Sequence, residues 1–229
     1  MSATIQVPDE PGLTEAFLLF ALEEGWDDRR ERAVGGLGHA LAGALLLEGA
    51  LKGAVRLERG CLRRAGSTQD PDLDAVLAQL EKVQHLPADQ AIDRLARLKP
   101  RPWDPWKARL EARGVAKEER SRHLGLFPRS RMAITDADAQ HELTGQMARA
   151  AAGNGVVDAG MVLLLAVVEA AGLLERIVPS AAVPFSRKRI GALVSGRDPL
   201  GYKVDPELRK AHDAAVHEIL ASVRRLSGR

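Results

Sequence analysis

Residues 36–53 read GLGHALAGALLLEGALKG, and this stretch decides the fold. Ala and Leu lose little rotamer freedom in a helix, so the run from Gly36 to Lys52 predicts one long helix, with Gly53 ending it. Ala40, Ala42, Gly43 and Ala44 are small enough to let another backbone approach closely. Such a helix belongs inside a protein and demands other helices around it. Upstream, Leu13 to Leu22 places Phe17, Leu18 and Ala21 on one face, with Thr14 as the expected N-cap. Downstream, Ala54 to Ala65 predicts a hairpin: Val55, Leu57 and Leu62 suit a half-buried ribbon and Gly60 supplies the turn.

The same reading extends to the C-terminus. Asp70-Pro71 opens a helix with Leu73, Val76, Leu77 and Leu80 on one stripe. A second runs from about Ala88 to Leu98 with Ile92 and Leu95 inward, and Asp104-Pro105 repeats the cap-and-proline device for a third, ending at Gly114. Val115 to Ile134 is too polar and irregular for a helix and predicts a β-hairpin, with Arg120-Ser121-Arg122 near its tip and Leu124, Leu126 and Phe127 on the return strand. Thr135, with Asp138 three residues on, resembles a capping box for a helix to about Ala152. The most apolar helix is expected at Val157 to Leu174; Val162 to Val168 leaves no polar face and should sit at the centre of the core. Pro179 to Pro184 reads as a loop, Ser186 to Val194 as a short basic helix, and Glu207 to Leu226 as the last helix. The expected fold class is mainly α: one globular helical domain over residues 1–229, with one or two small β-hairpins.

Composition agrees. Of 229 residues, 36 are Ala and 32 Leu, only eight are aromatic, and 45% are hydrophobic, which excludes disorder and favours helix over sheet. The single Cys61 excludes a disulfide scaffold and cysteine-pair zinc sites, and a lone thiol points to a reducing compartment. The longest apolar run, Ala159 to Val168, is about half of what a membrane span needs. Asp9, Glu10 and Pro11 stand where a signal peptide would need an apolar stretch.

The formal charge of +2 hides an asymmetry. Between Arg94 and Arg131 there are twelve Lys or Arg and four Asp or Glu, a local +8 that leaves −6 for the rest. One continuous positive face is the expectation, and such a face is the footprint of an anionic partner, nucleic acid or lipid head groups. The competing view is a solvated surface whose counter-charges lie elsewhere in the fold. Trp103 and Trp106, beside the basic helix, read as core side chains before interface anchors.

Catalytic signatures do not emerge. No phosphate-binding glycine loop follows a strand, and there is no Gly-x-Ser-x-Gly elbow or His-Glu-x-x-His. Asp136 and Asp138 are explained by capping, and Cys61 has cationic neighbours but no local base. The sequence argues for a binding protein, not an enzyme, with no cofactor.

Four stretches, in order, resemble the Golgi phosphoprotein 3 family and its bacterial relatives: 13–22 (LTEAFLLFAL), 41–53 (LAGALLLEGALKG), 110–115 with 124–129 (LEARGV and LGLFPR), and the apolar helix around 163–165 and 170–174 (LLL and AAGLL). The resemblance implies a single mostly helical domain that binds the cytosolic face of membranes through phosphatidylinositol 4-phosphate, with protein partners recruited there. Carried onto this chain, it implies a head-group site drawn from Trp26, Arg101, Lys107, Arg129 and Arg131, and a membrane-facing hairpin with Leu124, Leu126 and Phe127. It departs from the family pattern at Ala42, where an Arg is expected, and at Pro100 and Trp103, where paired arginines are expected and Arg101 is the nearest cation.

Three readings follow. The first is a cytoplasmic, peripheral membrane protein that binds anionic phospholipid. The second is a winged-helix-like nucleic-acid binder using Lys107, Arg109 and Arg113, against which Trp106 and Leu110 share a face that must be buried. The third is a protein-interaction scaffold with an incidental basic patch.

Overall fold

The computed structural model describes residues 11–22, 26–27, 36–83, 85–123, 127–154, 157–196 and 214–228. In chain order the elements are α1 (Leu13–Ala21), β1 (Trp26–Asp27), α2 (Leu37–Leu51), β2 (Val55–Glu58), β3 (Cys61–Arg64), α3 (Pro71–Glu81), α4 (Ala88–Ala96), α5 (Asp104–Ala112), β4 (Ala116–His123), β5 (Phe127–Ile134), α6 (Ala137–Ala152), α7 (Ala159–Ala170), α8 (Val183–Val194) and α9 (Ala214–Leu226). The architecture is mainly α, with two small antiparallel sheets ordered β1-β5-β4 and β2-β3.

Helix α2 is the hub. Helices α1, α3, α4, α7 and α9 all pack on it, and residues 40–50 are buried without a break. A Cβ on Gly43 would overlap Val223 Cγ2 of α9, so the glycine sets how closely these two helices cross. Helix α7 is the second buried element: Val162 to Ala170 are all buried, with Leu163, Leu164 and Leu165 in the core as expected. The indoles of Trp103 and Trp106 are fully buried as well, so neither is an interface anchor.

The helix ends correct several expectations. Thr14 does not cap α1. Gly12 is the N-cap residue, and the Thr14 amide and hydroxyl donate to Glu48 Oε2 of α2 at 3.0 and 2.6 Å. A carboxylate from the hub helix thus satisfies the start of its neighbour. Asp104 lies in the first turn of α5, not at its cap, and accepts from the Arg101 amide. Asp136 caps α6 by accepting from Asp138 and Ala139, while the Thr135 hydroxyl turns away to donate to the Gly114 carbonyl. Helix α7 stops at Ala170, where Gly172 takes a φ of +75° and a 3₁₀ turn follows at Leu174–Arg176. Helix α8 begins at Val183, three residues before expectation, because Pro184 fits its first turn. The last helix is described from Ala214; its expected start at Glu207 lies outside the described residues.

Between α3 and α5 lies a polar clasp. Asp70 caps α3 by accepting from Asp72 and Leu73, and its carboxylate also receives Arg109 Nη1 and Nη2 of α5 at 2.8 and 2.6 Å. Arg109 also holds Asp72 through Nε at 3.0 Å and lies 5.2 Å from the Trp106 ring centroid. Burial pushes the Asp70 carboxyl up, but Arg109 and the amides of Leu73 and Asp72 outweigh it and hold the group below the ordinary aspartate value. A depressed folded-state value means stability that is fully present above the unfolded value, about 3.9, and lost as pH falls through the folded one. Asp70→Asn keeps a capping oxygen and removes this titration. Acid unfolding below about pH 4 should therefore be shallower in the variant, which circular dichroism across a pH series reads directly.

Candidate functional site

The site was expected along the basic segment, and the structure divides that segment in two. In the first part, Arg94 to Lys117, at least four of the eight cations are paired with carboxylates: Arg97 with Asp93, Lys107 with Asp104, Arg109 with Asp70 and Asp72, and Arg113 with Glu15. Part of the positive charge expected on this face is thus answered, by carboxylates of α1, of the start of α3, of α4 and of α5 itself, up to 98 residues away in sequence. Buried Glu15 shows the cost of one such pair. Desolvation pushes its carboxyl above the usual range, and Arg113, donating at 2.7 Å, opposes that without reversing it.

The second part is the β4–β5 hairpin, whose strands pair from Ala116↔Ile134 out to His123↔Phe127. As expected, Arg120-Ser121-Arg122 lie near the tip, opposite Ser130, Arg129 and Pro128, with one further pair beyond them. The outer half of the hairpin therefore carries Arg120, Arg122 and Arg129 with no carboxylate opposite any of them in register. Arg131, nearer the base, lies in register between Glu119 on β4 and Asp27 on β1. The short β1 also pairs Trp26 with Met132, so Trp26 and Arg131 occupy adjoining ladder positions.

The other expected site residues are placed as follows. The Arg101 guanidinium donates to the Ala96 carbonyl at the end of α4 and lies 5.4 Å from the Trp103 ring centroid. Lys107 Nζ is 3.4 Å from Asp104 Oδ1. Ala42, at the position where the family pattern has an arginine, is fully buried in α2, so no head group reaches it. Phe127 opens β5, and Leu124 and Leu126 lie outside the described residues. The backbone thus gathers Phe127, Arg129 and Arg131 on one face of a sheet and Trp26 on its other face, and leaves Lys107 on α5 and Arg101 in the turn before it.

Arg120 and Arg122, expected near the hairpin tip, are not among the residues that the family resemblance carries over to the head-group site. The signal was present: basic residues at 120 and 122, continued at 129 and 131, with small or apolar neighbours between them. Among the described residues no helix is long and apolar enough to cross a membrane, and no group of His, Cys, Asp and Glu is arranged to hold a metal ion. A family model described as Golgi phosphoprotein 3 (GPP34) matches residues 13–220. No curated protein matches the chain.

Proposed function

The chain belongs to the Golgi phosphoprotein 3 (GPP34) family, and from that premise we propose that it is a non-catalytic peripheral membrane protein that docks on anionic phospholipid through the β4–β5 hairpin. The supporting observation is the register of the hairpin: Arg120, Arg122 and Arg129 concentrate at its outer half with no acid opposite, while the helical cations at 97, 107, 109 and 113 are spent on ion pairs. Each cation near an anionic surface contributes about 1 kcal/mol; Arg120 and Arg122 lie on one face of the hairpin and Lys117, Arg129 and Arg131 on the other, so a tip-first approach is what brings both sets to the surface for reversible docking. Arg129 and Arg131, two apart on β5 and so on one face of the sheet, form the centre of the head-group site, whereas Trp26, in register with Met132, belongs to the other face and Lys107 is held by Asp104. Leu124, Leu126 and Phe127 supply a shallow apolar anchor. A phosphorylated inositol lipid on the cytosolic leaflet fits this chemistry, and the docked face leaves the helical body free for a protein partner.

The nucleic-acid reading loses its reading helix. Lys107, Arg109 and Arg113 of α5 are each paired with a carboxylate, and Trp106 and Leu110 are buried beneath them. Lipid and nucleic acid also respond differently to loss of apolar surface. Leu126→Ser with Phe127→Ser should weaken co-sedimentation with anionic vesicles by about ten-fold or more, since full burial of such a side chain contributes about 1.5–3 kcal/mol and a shallow anchor realises part of that for each. Any duplex-DNA shift should be unchanged. Unaltered vesicle affinity in this variant would remove the anchor from the account.

A further inference from the structure

Helices α7, α8 and α9 enclose a cleft of about 630 Å³, within the range of small-molecule sites. One wall is apolar, from Ile190 and Val194 of α8 and Leu220 of α9. At the polar end, Glu169 of α7 is nearly buried and has both oxygens occupied: Oε1 accepts from Arg187 Nε at 3.0 Å and Oε2 from Arg224 Nη2 at 2.5 Å. Two guanidiniums against one carboxylate leave a formal charge of +1. Each arginine commits one N–H to Glu169 in these bonds, and both side chains are about half exposed, 53% and 45%. Both arginines line the cleft, so their remaining donors border its apolar wall. A clasp that only joined three helices would need no cleft next to it. Here the position of a Cβ on Gly191, in the cleft lining, has nothing within 4 Å.

We propose that this cleft binds a small amphipathic anion: one carboxylate or phosphate, held by Arg187 and Arg224, on a short alkyl chain lying along Ile190, Val194 and Leu220. Glu169 is a positioning residue that fixes both guanidiniums by one edge. A cationic amphiphile is repelled by the net charge, and a neutral one leaves the guanidiniums without their anion. None of the lining residues belongs to the docking set on the hairpin, so the two readings stand or fall separately.

The test is calorimetric titration of the full chain with octanoate, octyl phosphate, octanol and octylammonium, all below their micellar concentrations, beside amide chemical-shift mapping. Saturable one-to-one binding of octanoate or octyl phosphate is expected, at least about ten-fold tighter than octanol, with shifts centred on Gly191, Val194 and Leu220. The tighter of the two anions names the head group. Gly191→Leu fills the cleft from a helical position with open space around it. It should cut anion affinity by about ten-fold or more while leaving vesicle docking unchanged. Arg224→Gln should erase the preference over octanol. Absence of saturable anion binding, octanol binding as tightly as octanoate, or shifts that map elsewhere on the wild-type chain would each overturn the proposal, whether or not a variant folds.

Discussion

Trp106→Ala is expected to lower the unfolding free energy by about 3–5 kcal/mol, a loss sufficient to unfold a marginal domain. The indole is 1% exposed and packed within the main core, so truncation removes its transfer free energy and leaves a void that the surrounding helices cannot close. It also removes the ring beside which Arg109 lies while that arginine holds Asp70 and Asp72. Part of the loss should therefore be non-additive with Arg109→Met, and a double-mutant cycle by urea unfolding measures that coupling. A surface anchor would behave differently. If Trp106→Ala changed vesicle affinity and left stability within about 0.5 kcal/mol, the core placement of this side chain would be wrong.

The second large effect concerns docking. Arg120→Glu, Arg122→Glu and Arg129→Glu together should abolish detectable binding to anionic vesicles. Loss of three attractions alone removes about 3 kcal/mol, more than a hundred-fold in partitioning, and the introduced repulsions add to it. Folding should be retained, because Ser130, Pro128 and Ser121 are the register partners of these positions and no carboxylate stands opposite them. The matching control reverses Arg97, whose charge is already answered by Asp93 on the same helix. Its effect on vesicle binding should be several-fold smaller. Equal effects from the two sets would mean that only the total charge matters and the hairpin has no special part.

Much of the fold was legible because its signals are local. The Asp70-Pro71 start of α3, the small-residue character of α2, the Gly114 terminator and the uninterrupted apolar run of α7 each depend on residues within a few positions of one another. The capping errors arose where a tertiary partner outbid a local one. Thr14 and Thr135 both have the spacing of a cap, yet the first donates to Glu48, 34 residues away, and the second to Gly114, 21 residues away. The basic segment was misjudged for the same reason. Asp70, Asp72 and Glu15, which answer Arg109 and Arg113, lie outside the counted window, and only the packing of α5 on α1 and α3 brings them in. The candidate site was half visible: the basic residues of the hairpin stood out as a charge excess, but their ladder register, which sets Arg131 opposite Glu119 and Asp27 and Arg129 opposite Ser121, is not a property of the sequence pattern. The Glu169 cleft gave no signal, since Glu169, Arg187 and Arg224 are spread over 55 residues on three helices.

The most direct test of the docking account is sedimentation of the wild-type chain with vesicles of neutral phospholipid alone and with the same vesicles doped with phosphatidylinositol 4-phosphate, at low and high salt. The account predicts recovery in the pellet only with the anionic lipid, and release as added salt shortens the Debye length from about 10 Å at 0.1 M to about 3 Å at 1 M. Equal recovery on neutral and anionic vesicles, or none on either at low salt, would contradict it.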